Sequence, residues 1–216
     1  MRKNNIPTLE KLFIYMTDQC NQYCRHCWVK GGPNNSLMVD SKRIIDQIDK
    51  AMRVGLKIVK VTGGEPLLAK EELFKVLEHS YNNNLETRLE TNATLINESD
   101  AARLAKIGIE VYVSLDGCTP NSHDSFRRME GSFKATLKGL KNLLMKNVSV
   151  NIISCIHEKN FNEIERIYDF CTTNDVSSLK FNFPSLYGRA KELQIGSELF
   201  SIKKIIKTTH YIETNF

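Results

Sequence analysis

The sequence predicts an α/β protein in which six parallel strands alternate with helices, and three observations carry that prediction. Short apolar runs of strand type recur six times, each followed by a segment with helical period. The helical segments open near capping residues, and several close at glycine. The loops richest in Cys, Gly and polar residues follow the strands, where a parallel sheet gathers its working groups.

The elements follow in order. Leu12–Met16 (LFIYM) reads as the first strand. A helix opens at Asp40 or Ser41, carries Ile44, Ile45, Ile48 and Met52 on one face and stops at Gly55. Lys57–Thr62 is the second strand, and Glu71–Asn84 the second helix, with Leu73, Phe74 and Leu77 inward. Glu86–Thr91 is a more polar third strand, followed by a helix over Asn97–Ile107 that Gly108 closes. Ile109–Leu115 is the fourth strand, and GCTPNSHDSFRRMEG after it reads as a long connection. A helix over Ser132–Lys146 turns Phe133, Leu137, Leu140 and Leu144 to the core, and Val148–Cys155 is the fifth strand. Asn162–Cys171 is a helix with Ile164, Ile167 and Phe170 aligned, and Leu179–Phe183 is the sixth strand. A final helix near Ser197–Tyr211 has an apolar stripe of Leu199, Ile202, Ile206 and Tyr211, with Lys203, Lys204 and Lys207 on a solvated face. Six units fall short of the eight that close a full barrel. The pattern alone leaves open whether the sheet is curved or flat and doubly wound.

Composition narrows the function classes. A length of 216 residues suits one domain or one and a half. No apolar run reaches the roughly 18 residues of a membrane span, and MRKNNIPTLEK has no secretory h-region. The chain therefore reads as cytoplasmic, with no membrane role expected. The charge of +5 comes from scattered Lys and Arg, so no nucleic-acid partner is expected either. Six cysteines in such a chain should stay reduced. Cys155, in an apolar run, and Cys171, in a helical pattern, read as small buried hydrophobes.

The other feature is CNQYCRHC after the first strand, with Cys20, Cys24 and Cys27 in eight positions. A structural zinc site takes four ligands, and no convincing fourth follows. A redox pair of Cys24 and Cys27 would leave Cys20 surplus. Three thiolates suit a four-iron cluster with one iron lacking a protein ligand, an open position of the kind catalytic metal sites keep. On the same rim lie Gly63-Gly64-Glu65-Pro66, Thr91-Asn92, and Ser114 with Asp116 and Gly117. Singly, the glycines read as a tight turn, Glu65 as a helix-start charge, and Asp116-Gly117 as a turn. Their co-location after four successive strands is the stronger signal.

C-x3-C-x2-C after the first strand of a six-fold βα pattern, with GGEP after the second, resembles the radical S-adenosylmethionine (radical SAM) enzymes, from about Phe13 to Ala190. The resemblance implies a partial (β/α)6 barrel of the TIM type over residues 1–190, with a cluster loop at 17–33 and a C-terminal helix over 191–216 packed on the barrel. It implies a [4Fe-4S] cluster on Cys20, Cys24 and Cys27 and S-adenosylmethionine on its open iron, cleaved reductively to a 5′-deoxyadenosyl radical that abstracts hydrogen from substrate. It assigns cofactor contacts to His26 beside the adenine, to Gly63, Gly64, Glu65 and Pro66 at the methionine amino group, and to Thr91 and Asn92. Ser114 and Asp116 would contact the ribose and carboxyl region, and Arg127 the carboxylate. Ala93 stands where glycine is common. No catalytic residue beyond the cluster can be named. A reductant such as flavodoxin or ferredoxin is implied.

SLDG, HDSFRR, VNIISCIHEKNFNEI and YGRA further resemble the SPASM-type branch, whose members modify peptide or protein side chains. That branch carries a cysteine-rich region after the barrel, whereas about 26 residues without cysteine follow Ala190 here. The expectation is a one-cluster member or a shortened chain. A peptide or protein substrate would rely on a separate leader-binding partner or on none. The alternative is a degenerate fold that binds SAM or a partner without turnover.

Overall fold

The computed structural model describes residues 8–198 and 201–215. Six strands form one sheet: β1 (Lys11–Tyr15), β2 (Ile58–Thr62), β3 (Glu86–Thr91), β4 (Glu110–Ser114), β5 (Ser149–Cys155) and β6 (Ser178–Asn182). Their spatial order is β1-β2-β3-β4-β5-β6 and every pair is parallel, the sheet of a partial TIM-like barrel. The helices are α1 (Ser41–Met52), α2 (Lys70–Asn82), α3 (Glu98–Ile107), α4 (Pro120–Arg127), α5 (Ser132–Met145), α6 (Ile164–Thr173), α7 (Arg189–Glu192) and α8 (Ile202–Asn215).

The core lies between the outer face of the sheet and the helices. Val59, Val61, Leu89, Val111, Val113 and Ile152 point outward from alternate strand positions, and Leu73, Phe74, Leu77 and Leu104 meet them. The opposite, inner face is polar. Lys60 pairs there with Glu90 at 2.6 Å and lies over the rings of Phe13 and Tyr112, each 5.5 Å away.

Capping explains several boundaries. Asn97 and Asp100 form a reciprocal capping box at α3, and Gly108 ends that helix at φ +75°, a conformation open to glycine at little cost. The long connection after β4 contains α4, which the sequence reading lacked. Thr119 caps it, Ser122 completes the box and Pro120 fills its first turn. Its faces are too polar to show a hydrophobic period. Asp124 within α4 takes hydrogen bonds from the Gly131 and Phe133 amides and the Ser132 hydroxyl, so it caps α5 from a distance.

The expected apolar face of α5 packs on the core with small residues at its centre, whereas the face of α8 departs from expectation. In α5 the buried stripe is Thr136, Gly139, Leu140 and Leu143, while Phe133, Leu137 and Leu144 flank it. Gly139 sets this close approach, because a Cβ there would collide with the Ala93 carbonyl, and Thr136 Oγ1 donates to Asn92 O at 2.9 Å. In α8, Ile205 and Ile212 pack on the core while Ile206 is 64% exposed. The expected stripe residue Leu199, and the side chain of Ile202, lie outside the described residues. Lys204 pairs with Glu158, and the Tyr211 hydroxyl donates to Glu165, tying α8 to the β5–α6 region.

Candidate functional site

The carboxyl ends of the strands surround a cavity of about 370 Å3. Of the site residues singled out from the sequence, all but Pro66 line it. Pro66 instead starts the buried single turn Pro66–Ala69 behind the wall. Trp28 lines the cavity while 62% exposed, which puts it at the mouth.

Loop 17–33 carries the three thiols and has almost no regular structure, yet it is anchored on four sides. Toward β2, the Gly64 amide donates to Thr17 O at 2.6 Å and the Glu65 amide to Gln19 O at 2.8 Å. Gly63 sits at φ +153°, and a Cβ there would lie 2.7 Å from Thr17 O; a Cβ on Gly64 would collide with the Gln19 carbonyl. These glycines thus let two backbones meet. Toward β3, Asn92 Nδ2 donates to Asn21 Oδ1 at 2.9 Å and Asn21 Nδ2 to Thr94 Oγ1 at 2.8 Å. Toward α4, the Tyr23 and Arg25 amides donate to Arg127 O and Phe126 O. Toward β6, Arg189 donates to the carbonyls of Cys24 at 2.9 Å and Gly31 at 2.6 Å.

The carboxylates of the rim are engaged by the chain itself. Glu65 is buried and takes hydrogen bonds from the Leu67 amide at 3.0 Å, the Thr91 hydroxyl at 2.7 Å and the Asn92 amide at 2.8 Å. Burial raises its carboxyl above the ordinary range against the pull of these donors. Asp116 Oδ2 takes Arg127 Nε at 2.8 Å and Nη2 at 2.7 Å, and Oδ1 takes the Cys155 amide at 2.8 Å. Burial alone would raise Asp116; the Arg127 guanidinium overbalances it and holds the carboxyl at about 2. Arg127 also donates to Gln22 Oε1 at 3.0 Å, so this ion pair reaches the loop between Cys20 and Cys24. Arg128, in contrast, lies over the Tyr23 ring.

Ser114 lines the cavity from the inner face of β4. His26 stacks on Phe126, with 4.5 Å between centroids, and Phe126 stacks on His157 at 4.1 Å. Burial pushes His26 down to about 4, so its ring is neutral near pH 7. His123 is also buried; it accepts the Asp116 amide at 3.2 Å and does not line the cavity. Cys155 is buried as expected, but on the cavity wall, while Cys171 is core. Ala93 adopts φ +60°, the conformation a glycine takes more readily.

The donor set fits an iron–sulfur group. All six cysteines are free thiols. Burial pushes Cys20 up to about 12 and Cys24 up to about 11, so the iron ions of a bound cluster must supply what makes them thiolates. Among the described residues no three His, Cys, Asp or Glu side chains converge on one metal-ion point. Thiols that each take a different iron need no such convergence, whereas a closed zinc site does. Two buried nitrogens on the cavity wall, Gln22 Nε2 and His26 Nδ1, have no partner among the described residues.

Sequence reasoning missed Gln22, which stands inside C-x3-C-x2-C at a position the thiol spacing leaves unspecified, and the role of Arg189. Its YGRA segment was visible, but its contacts reach residues 165 and 158 positions away.

Comparison with known proteins agrees with this geometry. Residues 14–171 match the family described as the Radical SAM superfamily. The chain is 29% identical over 182 residues to the Fe-coproporphyrin III synthase of Methanosarcina barkeri, covering 82% of this chain and 45% of that protein. It is 26% identical over 192 residues to the antilisterial bacteriocin subtilosin biosynthesis protein AlbA of Bacillus subtilis, covering 88% and 43%. Streptococcus suis SuiB bound to S-adenosylmethionine superposes with a TM-score of 0.80 at 19% identity, covering 94% of this chain and 46% of that one. SuiB has also been solved with its precursor peptide SuiA. The chain thus spans about half the length of these relatives.

Proposed function

The chain belongs to the radical SAM superfamily, and from that premise we propose that it is an enzyme acting on a side chain of a peptide or protein. Cys20, Cys24 and Cys27 would hold a [4Fe-4S] cluster, and S-adenosylmethionine would occupy the adjoining cavity. Bound there, the pair supplies an electron and a cleavable sulfonium, giving the 5′-deoxyadenosyl radical that abstracts hydrogen. The observation that carries the reading is that three thiols on one anchored loop share a single cavity with the loops leaving β2, β3 and β4.

The residues divide the work. Asp116 and Arg127 neutralise each other and fix the loop through Gln22. Glu65 locks the exit of β2 to that of β3. His26, backed by Phe126, offers a neutral aromatic surface suited to a nucleobase. Ser114 and the backbone at Gly63 are left to hydrogen-bond the cofactor. No helix among the described residues is long and apolar enough to cross a membrane.

The lining favours a peptide over the tetrapyrrole that one relative's name suggests. Among the described residues Arg127 is the only Lys or Arg on the cavity wall, and Asp116 already pairs with it, while Glu65 is held by the chain's own donors and Glu90 by Lys60. A porphyrin with several carboxylates needs free cations. A peptide suits the mixed wall of Glu90, Ser114, Ile153, Asn182 and Phe183. A leader-binding partner and a small reductant protein belong to the same reading.

Anaerobic reconstitution tests it. About four irons per chain are expected, with reductant-dependent release of 5′-deoxyadenosine from S-adenosylmethionine. Cys24→Ala should lose the iron. A reconstituted, reducible chain that releases no 5′-deoxyadenosine would instead support the reading of a SAM-binding fold without turnover.

A further inference from the structure

Arg189 sits where the exit of β6 meets the loop after β1. It is 2% exposed. Its Nη1 and Nη2 donate to the Cys24 and Gly31 carbonyls, and its guanidinium lies 3.5 Å from the centroid of the Tyr23 ring. Its own amide donates to Cys27 O at 2.9 Å. The preceding Gly188, at φ +55°, lies so close that a Cβ would collide with the Trp28 carbonyl. This one residue therefore touches the backbone of Cys24, Cys27 and Gly31.

Its charge is not balanced. Arginine stays protonated in proteins, and a buried charge is costly unless paired. Carbonyls and a ring face solvate a guanidinium but carry no net charge. Among the described residues no carboxylate forms an ion pair with it, and its Nε has no partner. Arg127, the other buried guanidinium of this region, has Asp116.

We infer that Arg189 is the buried counter-charge of the cluster held by Cys20, Cys24 and Cys27, a positioning residue that raises the cluster's reduction potential. The inference rests on the cluster reading above. An oxidised four-iron cubane carried by three thiolates is net negative, and reduction adds a further electron. A fixed cation in a site shielded from water stabilises the reduced state more than the oxidised one. Arg189 thereby links the β6 exit, whose Asn182 to Ser185 line the cavity, to the redox centre.

The test is an anaerobic redox titration of the reconstituted protein, followed by the paramagnetic signal of the reduced cluster. Arg189→Gln should lower the equilibrium constant for one-electron reduction at least tenfold, about 59 mV more negative. Arg189→Lys should stay nearer wild type. A gain of shape alone would not move the potential with charge. An unchanged potential in Arg189→Gln at full iron content overturns the inference, as does an equal shift in Arg189→Lys. Should Arg189→Gln take up no iron, Tyr23 decides. It is exposed enough to substitute, and Tyr23→Glu sets a carboxylate beside the guanidinium while leaving its carbonyl contacts. Arg128 shares that carboxylate, so a smaller drop, at least threefold against Tyr23→Gln, is expected; equal potentials for the two overturn the inference. A wild-type chain without a cluster sinks the cluster reading itself, and this inference with it.

Discussion

Replacing Glu65 with glutamine separates a carboxylate built into the fold from one held ready for a ligand. The two oxygens accept three hydrogen bonds, two at Oε1 from Leu67 N and Thr91 Oγ1, and one at Oε2 from Asn92 N. Both amides are obligate donors, and the Thr91 oxygen already accepts the Ala93 amide. A glutamine can keep one oxygen position and must turn an NH2 toward a donor at the other. At least one charge-assisted bond is lost and one buried amide is orphaned, about 1.5–3 kcal/mol. Relief from burying a charge trims this, leaving about 2 kcal/mol. For a chain of 216 residues that is a fall of about 4–8 °C in Tm. The assay is thermal and denaturant unfolding of the anaerobic, iron-free protein without S-adenosylmethionine. Glu65→Ala orphans all three donors and should cost more. Unchanged unfolding of Glu65→Gln without ligand would refute the internal role and return the carboxylate to the cofactor's ammonium.

Asp116→Asn removes the charge opposite buried Arg127 and should cost about 3–5 kcal/mol in unfolding free energy. The wild-type carboxyl is held at about 2, below its unfolded value near 4, so its contribution is present above pH ~4 and lost as pH falls through the folded value; the difference between wild type and variant should shrink over that window. Gly64→Ala drives a methyl into the Gln19 carbonyl, so about 1–3 kcal/mol of stability and part of the iron uptake should be lost. Thr119→Ala should cost about 1 kcal/mol through the α4 cap and leave iron content unchanged.

Strands and most helices were legible because period and punctuation agree: Ile44 and Ile48 face the sheet, Asn97 and Gly108 bracket α3, and Gly55 follows α1. The apolar residues read onto α5 do pack on the core, but its closest approach, at Gly139, sends no apolar signal; the face of α8 was misjudged by one residue, at Ile205 rather than Ile206. The rim was legible because its loops are contiguous motifs placed by a parallel sheet. What holds the rim was not. Gln22 with Arg127, and Arg189 with Cys24, join positions 105 and 165 apart, and the burial that gives those bonds weight exists only after folding. Glu65 shows the converse: the residue stood out, but its three partners were invisible in GGEP.

The unpartnered atoms say what the site is still missing. In a folded chain nearly every buried polar group finds a partner in protein, water or ligand. At this rim the anionic groups have theirs: Glu65 has three donors, and Asp116 has Arg127 and the Cys155 amide. Gln22 Nε2 and Arg189 Nε do not, and both are obligate donors. Both belong to the thiol-bearing loop or to the residue that braces it. An occupant of the cavity that meets Gln22 Nε2 must therefore bring an acceptor to that side. A thiolate-held sulfide cluster does so. A zinc ion brings no acceptor of its own, so it would leave Gln22 Nε2 to the thiolates alone.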